Sequence, residues 1–137
     1  MMPVTTGAQL RLRAAWLTVA WLLVAAVIYL SVTPRPPDIP LDEGDKYGHL
    51  IAYGTVMLWF AQLYEGRRRW LAVAGLVALG VGLEYVQRWT GYRSFDVWDI
   101  AADAAGVLAG LAVAPPRLPN FLAATERLLR MRAAERP

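Results

Sequence analysis

The chain has no cysteine, a single histidine (His49) and a single lysine (Lys46). Without cysteine there are no disulfides, no thiolate nucleophile and no cysteine-bound metal. One imidazole and no thiolate argue against zinc, so the metal alternative is magnesium or calcium held by carboxylates. Lys46 is the only lysine among fourteen basic residues, an arginine bias that reflects a GC-rich genome. Charge is also missing from long stretches: residues 14–32, 50–64 and 70–83 contain no Asp, Glu, Lys or Arg. There is no internal repeat and no low-complexity segment.

What remains is mostly apolar. Hydrophobic residues make up 57% of 137, and the mean hydropathy is +0.35, which points to a membrane protein. The net charge of +3 does not imply nucleic acid, because the basic residues border apolar runs instead of forming one stripe. They read as topology signals.

Residues 1–13 form a short polar start. The nineteen uncharged residues 14–32 rise about 28 Å as a helix, close to a hydrocarbon core of about 30 Å, so they form a full, uncleaved span. Thr33-Pro34-Arg35-Pro36-Pro37 ends it and begins an extended loop over 34–44. A second span covers 47–64, a short basic turn 65–69, a third span 70–89 with tryptophans at both ends, and a fourth 97–114 stopped by Pro115-Pro116. Gly75, Gly80 and Gly82 permit close packing of the third span, and Gly106 and Gly110 of the fourth. Residues 117–137 form a separate amphipathic tail, N-capped by Asn120. Phe121, Leu122, Thr125, Leu128 and Leu129 lie on one face of it, Glu126, Arg127 and Arg130 lie away from that face, and the helix rests on an anionic membrane surface. The predicted fold is all-α: a polytopic four-helix transmembrane bundle over 1–116 with both termini cytoplasmic and a C-terminal amphipathic helix. Ten of the fourteen basic residues, including Arg11, Arg13, Arg67, Arg68, Arg69 and Arg136, fall on the terminal side and make it the cytoplasmic one.

On the other side the polar residues converge. Asp45, Lys46 and His49 start the second span, Glu84 and Gln87 end the third, and Arg93, Asp96, Asp99 and Asp103 enter the fourth. Positions 96, 99, 103, 106 and 110 step by three and four, so the three acids share one face with the two glycines. In a compact bundle these groups form one extracytoplasmic pocket, and ionisable groups at membrane depth are functional candidates.

The pattern resembles the VanZ-like family of small bacterial membrane proteins over about residues 25–112. It consists of Ser31-x-Thr33-Pro34, Asp45-Lys46-x-x-His49-x-x-x-Tyr53, Glu84-x-x-Gln87, and Arg93-x-x-Asp96-x-x-Asp99-x-x-x-Asp103-x-x-Gly106. The family more often has asparagine where this chain has Asp103. The resemblance implies a multi-pass protein of the bacterial inner membrane, and the family's namesake is associated with reduced susceptibility to teicoplanin. It does not supply a molecular activity.

His49, Glu84 and Asp103 are the candidate proton-transfer groups, with Asp45 one turn before His49 to set its charge. Asp96 is a candidate N-cap, with Asp99 as its capping-box partner. Asp103 lies too deep for either role, and is expected to be protonated, to pair with Arg93 or Lys46, or to hold a cation. Lys46 and Arg93 are candidate anion binders, with Gln87, Asp45, Asp96, Asp99 and Tyr53 around them. The function expected is binding, with or without chemical modification, of an anionic envelope lipid or lipid-linked headgroup. A proton-coupled transporter and a non-enzymatic accessory protein are the alternatives.

Overall fold

Four apolar runs separated by proline, glycine and charge fold as four helices, and a fifth follows them: α1 (Arg13–Val32), α2 (Gly44–Leu63), α3 (Gly66–Thr90), α4 (Val97–Val113) and α5 (Phe121–Ala134). The computed structural model describes residues 10–135, among which there is no strand. Most of the polar start and Arg136 lie outside the described residues.

The boundaries of α1 and α4 agree with the hydropathy reading to within one residue. Both are ended by a residue forced out of the helical region before proline, Thr33 (ψ 138) and Ala114 (ψ 162). α2 starts three residues before the predicted 47. Glu43 takes a left-handed conformation (φ 59) and turns the chain, and Gly44 lies so close to the Ile39 carbonyl that no Cβ fits. Asp45 and Lys46 are therefore inside the first helical turn.

α3 departs further. Where a basic turn is expected at 65–69, the chain is helical from Gly66, because arginine is a good helix former and the reversal needs only Tyr64, Glu65 and the positive φ of Gly66 (54°). The Arg69 side chain donates to the carbonyls of Ala61, Tyr64 and Pro115 at 2.8, 3.1 and 2.8 Å. It thereby caps α2 and secures the segment after α4.

The helices alternate in direction, so α2 and α4 run parallel, and this pair approaches most closely. A Cβ on Gly54 would lie 3.2 Å from the Gly106 carbonyl, and Cβ atoms on Gly106 and Gly110 would collide with the carbonyls of Leu50 and Gly54. Packing is therefore backbone against backbone. Gly80 of α3 gives way to Asp103, whose Oδ2 would sit 2.6 Å from an added Cβ. The other two α3 glycines do not serve the close packing predicted for them, since Gly75 and Gly82 meet nothing within 4 Å. Tyr53, Val56 and Met57 of α2, Leu76 and Leu83 of α3, Val107 of α4, and Ala20, Val24 and Val27 of α1 fill the core.

Among the described residues two helices, α1 and α3, are long and apolar enough to cross a membrane, with mean hydropathy 2.2 and 1.5. α2 and α4 carry their charges inside the helix, and α4 has only 17 residues.

The bundle has an acidic end, where α2 and α4 begin and α3 finishes, and an arginine-rich end, where α5 docks. Asn120 caps α5 as predicted, accepting from the Ala123 amide at 3.0 Å. The buried face of the tail is not the predicted one. Leu122, Ala123 and Glu126 are buried, whereas Leu128 and Leu129 are about half exposed (56% and 49%). Glu126 accepts from the amides of Arg11 and Leu12 and from the Trp16 indole, each at 2.9 Å. Burial pushes this carboxyl up, but the two amides, the indole and Arg130 outweigh it and hold it below the ordinary carboxylate value. A helix N-terminus leaves its first amides without partners, and here another helix supplies the acceptor.

Candidate functional site

α4 opens with Asp96 as N-cap, accepting from the Trp98 amide at 2.8 Å. That amide, with Lys46 close by, holds the Asp96 carboxyl below its usual range. In a capping box the acid three residues on would accept from the N-cap amide. Here Glu84 of α3 accepts from the Asp96 amide instead, at 2.8 Å. The capping-box role predicted for Asp99 is therefore taken by another helix, and Asp99 turns inward, 5% exposed, with Oδ1 receiving no hydrogen bond.

His49, on the second turn of α2, faces α4. Its Nδ1 lies 2.8 Å from Asp103 Oδ1 and its Nε2 3.6 Å from Asp99 Oδ2. With Asp103 ionised, its carboxylate accepts from Nδ1–H, and Nε2 is the ring nitrogen on the Asp99 side. Asp103 thus pairs with His49, and neither Arg93 nor Lys46 is its partner. Asp45, expected to govern His49, is instead 3.5 Å from Lys46.

Lys46 is occupied by four carboxylates: Glu43 at 2.7 Å, Asp96 at 3.3 Å, Asp45 at 3.5 Å and Asp99 at 3.9 Å. It balances charge and has little left for an external anion. Arg93 differs, since no ion pair reaches it among the described residues. It lines a cleft of about 200 Å3 together with Asp45, His49 and Tyr53 and with the apolar Val27, Leu30, Pro36 and Ile39.

Glu84 and Gln87 are each 1% exposed. The Gln87 amide donates to the Ser31 carbonyl at 2.9 Å, tying α3 to the end of α1. That makes Gln87 a structural bond and not a wall of the cleft. Tyr53, 2% exposed, lines the cleft with its hydroxyl unpartnered. His49, Glu84 and Asp99 each bring one possible metal-ligand atom to within 4.8 Å of the others.

The predicted convergence of three distant segments is therefore present. Three contacts escape the sequence reading: that of Glu43 with Lys46, that of Gly80 with Asp103, and that of the Ser31 carbonyl with Gln87. Glu43 had a signal, its spacing of three from Lys46 on a helix start. The Gly80 contact had none, because it depends on how α3 faces α4.

The VanZ/LLP1 family model matches residues 12–119, which include every candidate site residue. An uncharacterized protein of the fission yeast Schizosaccharomyces pombe is 28% identical over 110 residues, covering 77% of this chain and 65% of its own length. No solved structure matches.

Proposed function

The chain belongs to the VanZ/LLP1 family, and from that premise we propose that it is a four-span protein of the bacterial inner membrane whose acidic-end cleft binds the anionic headgroup of a membrane lipid or lipid-linked precursor. Spanning by all four helices is supported by the apolar side chains they turn outward. These include Trp21 and Leu22 on α1, Ile51 on α2, Leu71 and Trp89 on α3, and Trp98 and Leu108 on α4, each more than half exposed. The acidic end faces outward, since the arginine-rich end fits the cytoplasmic side.

The observation that carries the lipid reading is Arg93. It is a guanidinium without an acidic partner among the described residues, and it lines a cleft that it shares with the apolar Val27, Leu30, Pro36 and Ile39. Such a site suits an amphiphile with a negative head, which a planar guanidinium grips through two donors. About 200 Å3 is below the ~300–1,000 Å3 of pockets that engulf a drug-sized molecule. The cleft therefore takes a headgroup while the tail stays in the bilayer. Similarity to a fungal protein favours a ligand class common to bacteria and fungi, a phospholipid or polyprenyl phosphate. Reduced glycopeptide susceptibility would then be a consequence of altered lipid supply to the wall.

A proton-coupled carrier is less well supported. Among the described residues, the buried polar side chains gather at the two ends, and Val56, Met57, Leu76 and Val107 fill the middle. The test is native mass spectrometry of the purified protein with polyprenyl phosphate, phosphatidylglycerol and phosphatidylcholine. The expected result is retention of the anionic lipids and an affinity loss of about tenfold or more, some 1.4 kcal/mol, in Arg93→Gln. Equal retention of phosphatidylcholine, or an Arg93→Gln protein that binds as the wild type does, would sink the reading.

A further inference from the structure

We propose that His49, Glu84 and Asp99 form a site for a divalent cation of the manganese or zinc class, with Asp103 as the residue that orients the histidine. The three donors come from three different helices, and their ligand atoms already lie within 4.8 Å of one another. Metal–ligand bonds of about 2.0–2.3 Å require neighbouring donors roughly 3 Å apart. The 3.6 Å between His49 Nε2 and Asp99 Oδ2 is little more than half an ångström longer than that.

The histidine is set as a ligand should be. Metal-binding imidazoles usually donate their other ring N–H to a carboxylate, which fixes the tautomer and raises basicity. Asp103 accepts from Nδ1 at 2.8 Å, is 2% exposed, and is seated against Gly80, where a side chain would displace it. With the proton on Nδ1, Nε2 is the free donor, 3.6 Å from Asp99 Oδ2.

A cluster of acids alone would be no argument, but two buried polar atoms here have no partner. Asp99 Oδ1 receives no hydrogen bond, and the nearest cation, Lys46 at 3.9 Å, is shared with three other carboxylates. The Tyr53 hydroxyl, one turn along α2 from His49, is equally orphaned. Buried orphans cost about 1–3 kcal/mol each, more when charged. A cation held by both oxygens of the Asp99 carboxylate meets the first, and a water on that cation meets the second. Glu84 spends Oε2 on the Asp96 amide and has its other oxygen for the metal.

One imidazole nitrogen with two carboxylates suits manganese or zinc better than calcium, which takes about 6–8 oxygen ligands. The absence of cysteine and of further histidines had pointed toward magnesium or calcium. The orientation of the single imidazole reverses that preference.

The cation would lie beside the headgroup cleft, with His49 common to both, yet its binding does not depend on any lipid. The experiment uses the full chain in detergent, stripped with chelator and titrated with Mn2+, Zn2+ or Mg2+ alone. Bound metal is read by elemental analysis after gel filtration, alongside the melting temperature. The expected result is one Mn2+ or Zn2+ per chain and a metal-dependent rise in melting temperature. His49→Ala, Glu84→Gln and Asp99→Asn should each weaken binding at least tenfold, and Asp103→Asn about 10–100-fold through the histidine. Glu84→Gln keeps an oxygen for the Asp96 amide, and Asp99→Asn removes a charge without a cavity, so both should fold. Wild-type protein that takes up no metal, or variants that bind as it does, would overturn the proposal. A wild type that takes up no metal while Asp99→Asn melts higher would overturn it in favour of a proton shared between the acids. Lipid retained equally with and without metal would overturn only a metal role in lipid binding, and metal bound without any lipid affinity would overturn only the headgroup reading.

Discussion

The two ends of this bundle treat buried polar groups in opposite ways. At the arginine-rich end they serve the backbone: Glu126 takes two amides and an indole, Arg69 takes three carbonyls, and Gln62 accepts from the Phe121 amide while its carbonyl accepts from Asn120. At the acidic end side chains mostly face side chains, as in His49 with Asp103 and Asp99 or Lys46 with its four carboxylates, and two oxygens, on Asp99 and Tyr53, are left over, against one Gln62 nitrogen at the other end. Backbone partners are fixed by the fold, so such bonds can only stabilise it. Side-chain clusters with vacancies cost stability, and they persist where a ligand completes them. The contrast fits a stabilising role for one end and the proposed binding role for the other.

The largest expected effect is at the stable end. Glu126→Ala strands two amides and an indole and should cost about 3 kcal/mol, seen as a large fall in melting temperature with lipid binding unchanged. The sign of its pH dependence follows from its depressed carboxyl. Its contribution is complete above the ordinary value of 4.5 and lost as pH falls through the lower folded value. The stability gap between wild type and Glu126→Gln should therefore close in acid. A gap that widened would break the assignment.

Next comes Arg69→Met, expected to cost about 1.5–3 kcal/mol because three carbonyls lose a charged donor, again without a binding change. Asp99→Asn is the sharpest test of the contrast. Because the carboxylate has an unsatisfied oxygen, its neutralisation should change stability by under about 1 kcal/mol in either direction, measured by thermal unfolding without metal. A loss as large as that of Glu126→Ala would make the acidic end structural too. Smallest is Asp96→Asn: asparagine caps as well as aspartate, so about 0.5 kcal/mol or less is expected.

Much of this was legible in the residues. Hydropathy and proline located α1 and α4, and steps of three and four put Asp99, Asp103, Gly106 and Gly110 on one buried face. Helix ends were less legible where the deciding contact was distant, as with Ile39 against Gly44 or Arg69 reaching Pro115. Partners were the least legible of all. Glu126 was assigned to the solvent side because local periodicity counts a carboxylate as polar and cannot see that α1 offers bare amides beside it. Asp99 was assigned to a cap because its spacing satisfied one, and only the approach of α3 reveals that Glu84 had taken the place.

That substitution of Glu84 for a local cap has a further consequence. The amide proton of Asp96 is held by a side chain that also faces the cleft-side cluster, so anything drawing Glu84 inward loosens the first turn of α4. Hydrogen exchange at that one amide is thus a built-in reporter: slowed when Glu84 stays on it, quickened when the carboxylate is pulled away, and readable without knowing what occupies the site.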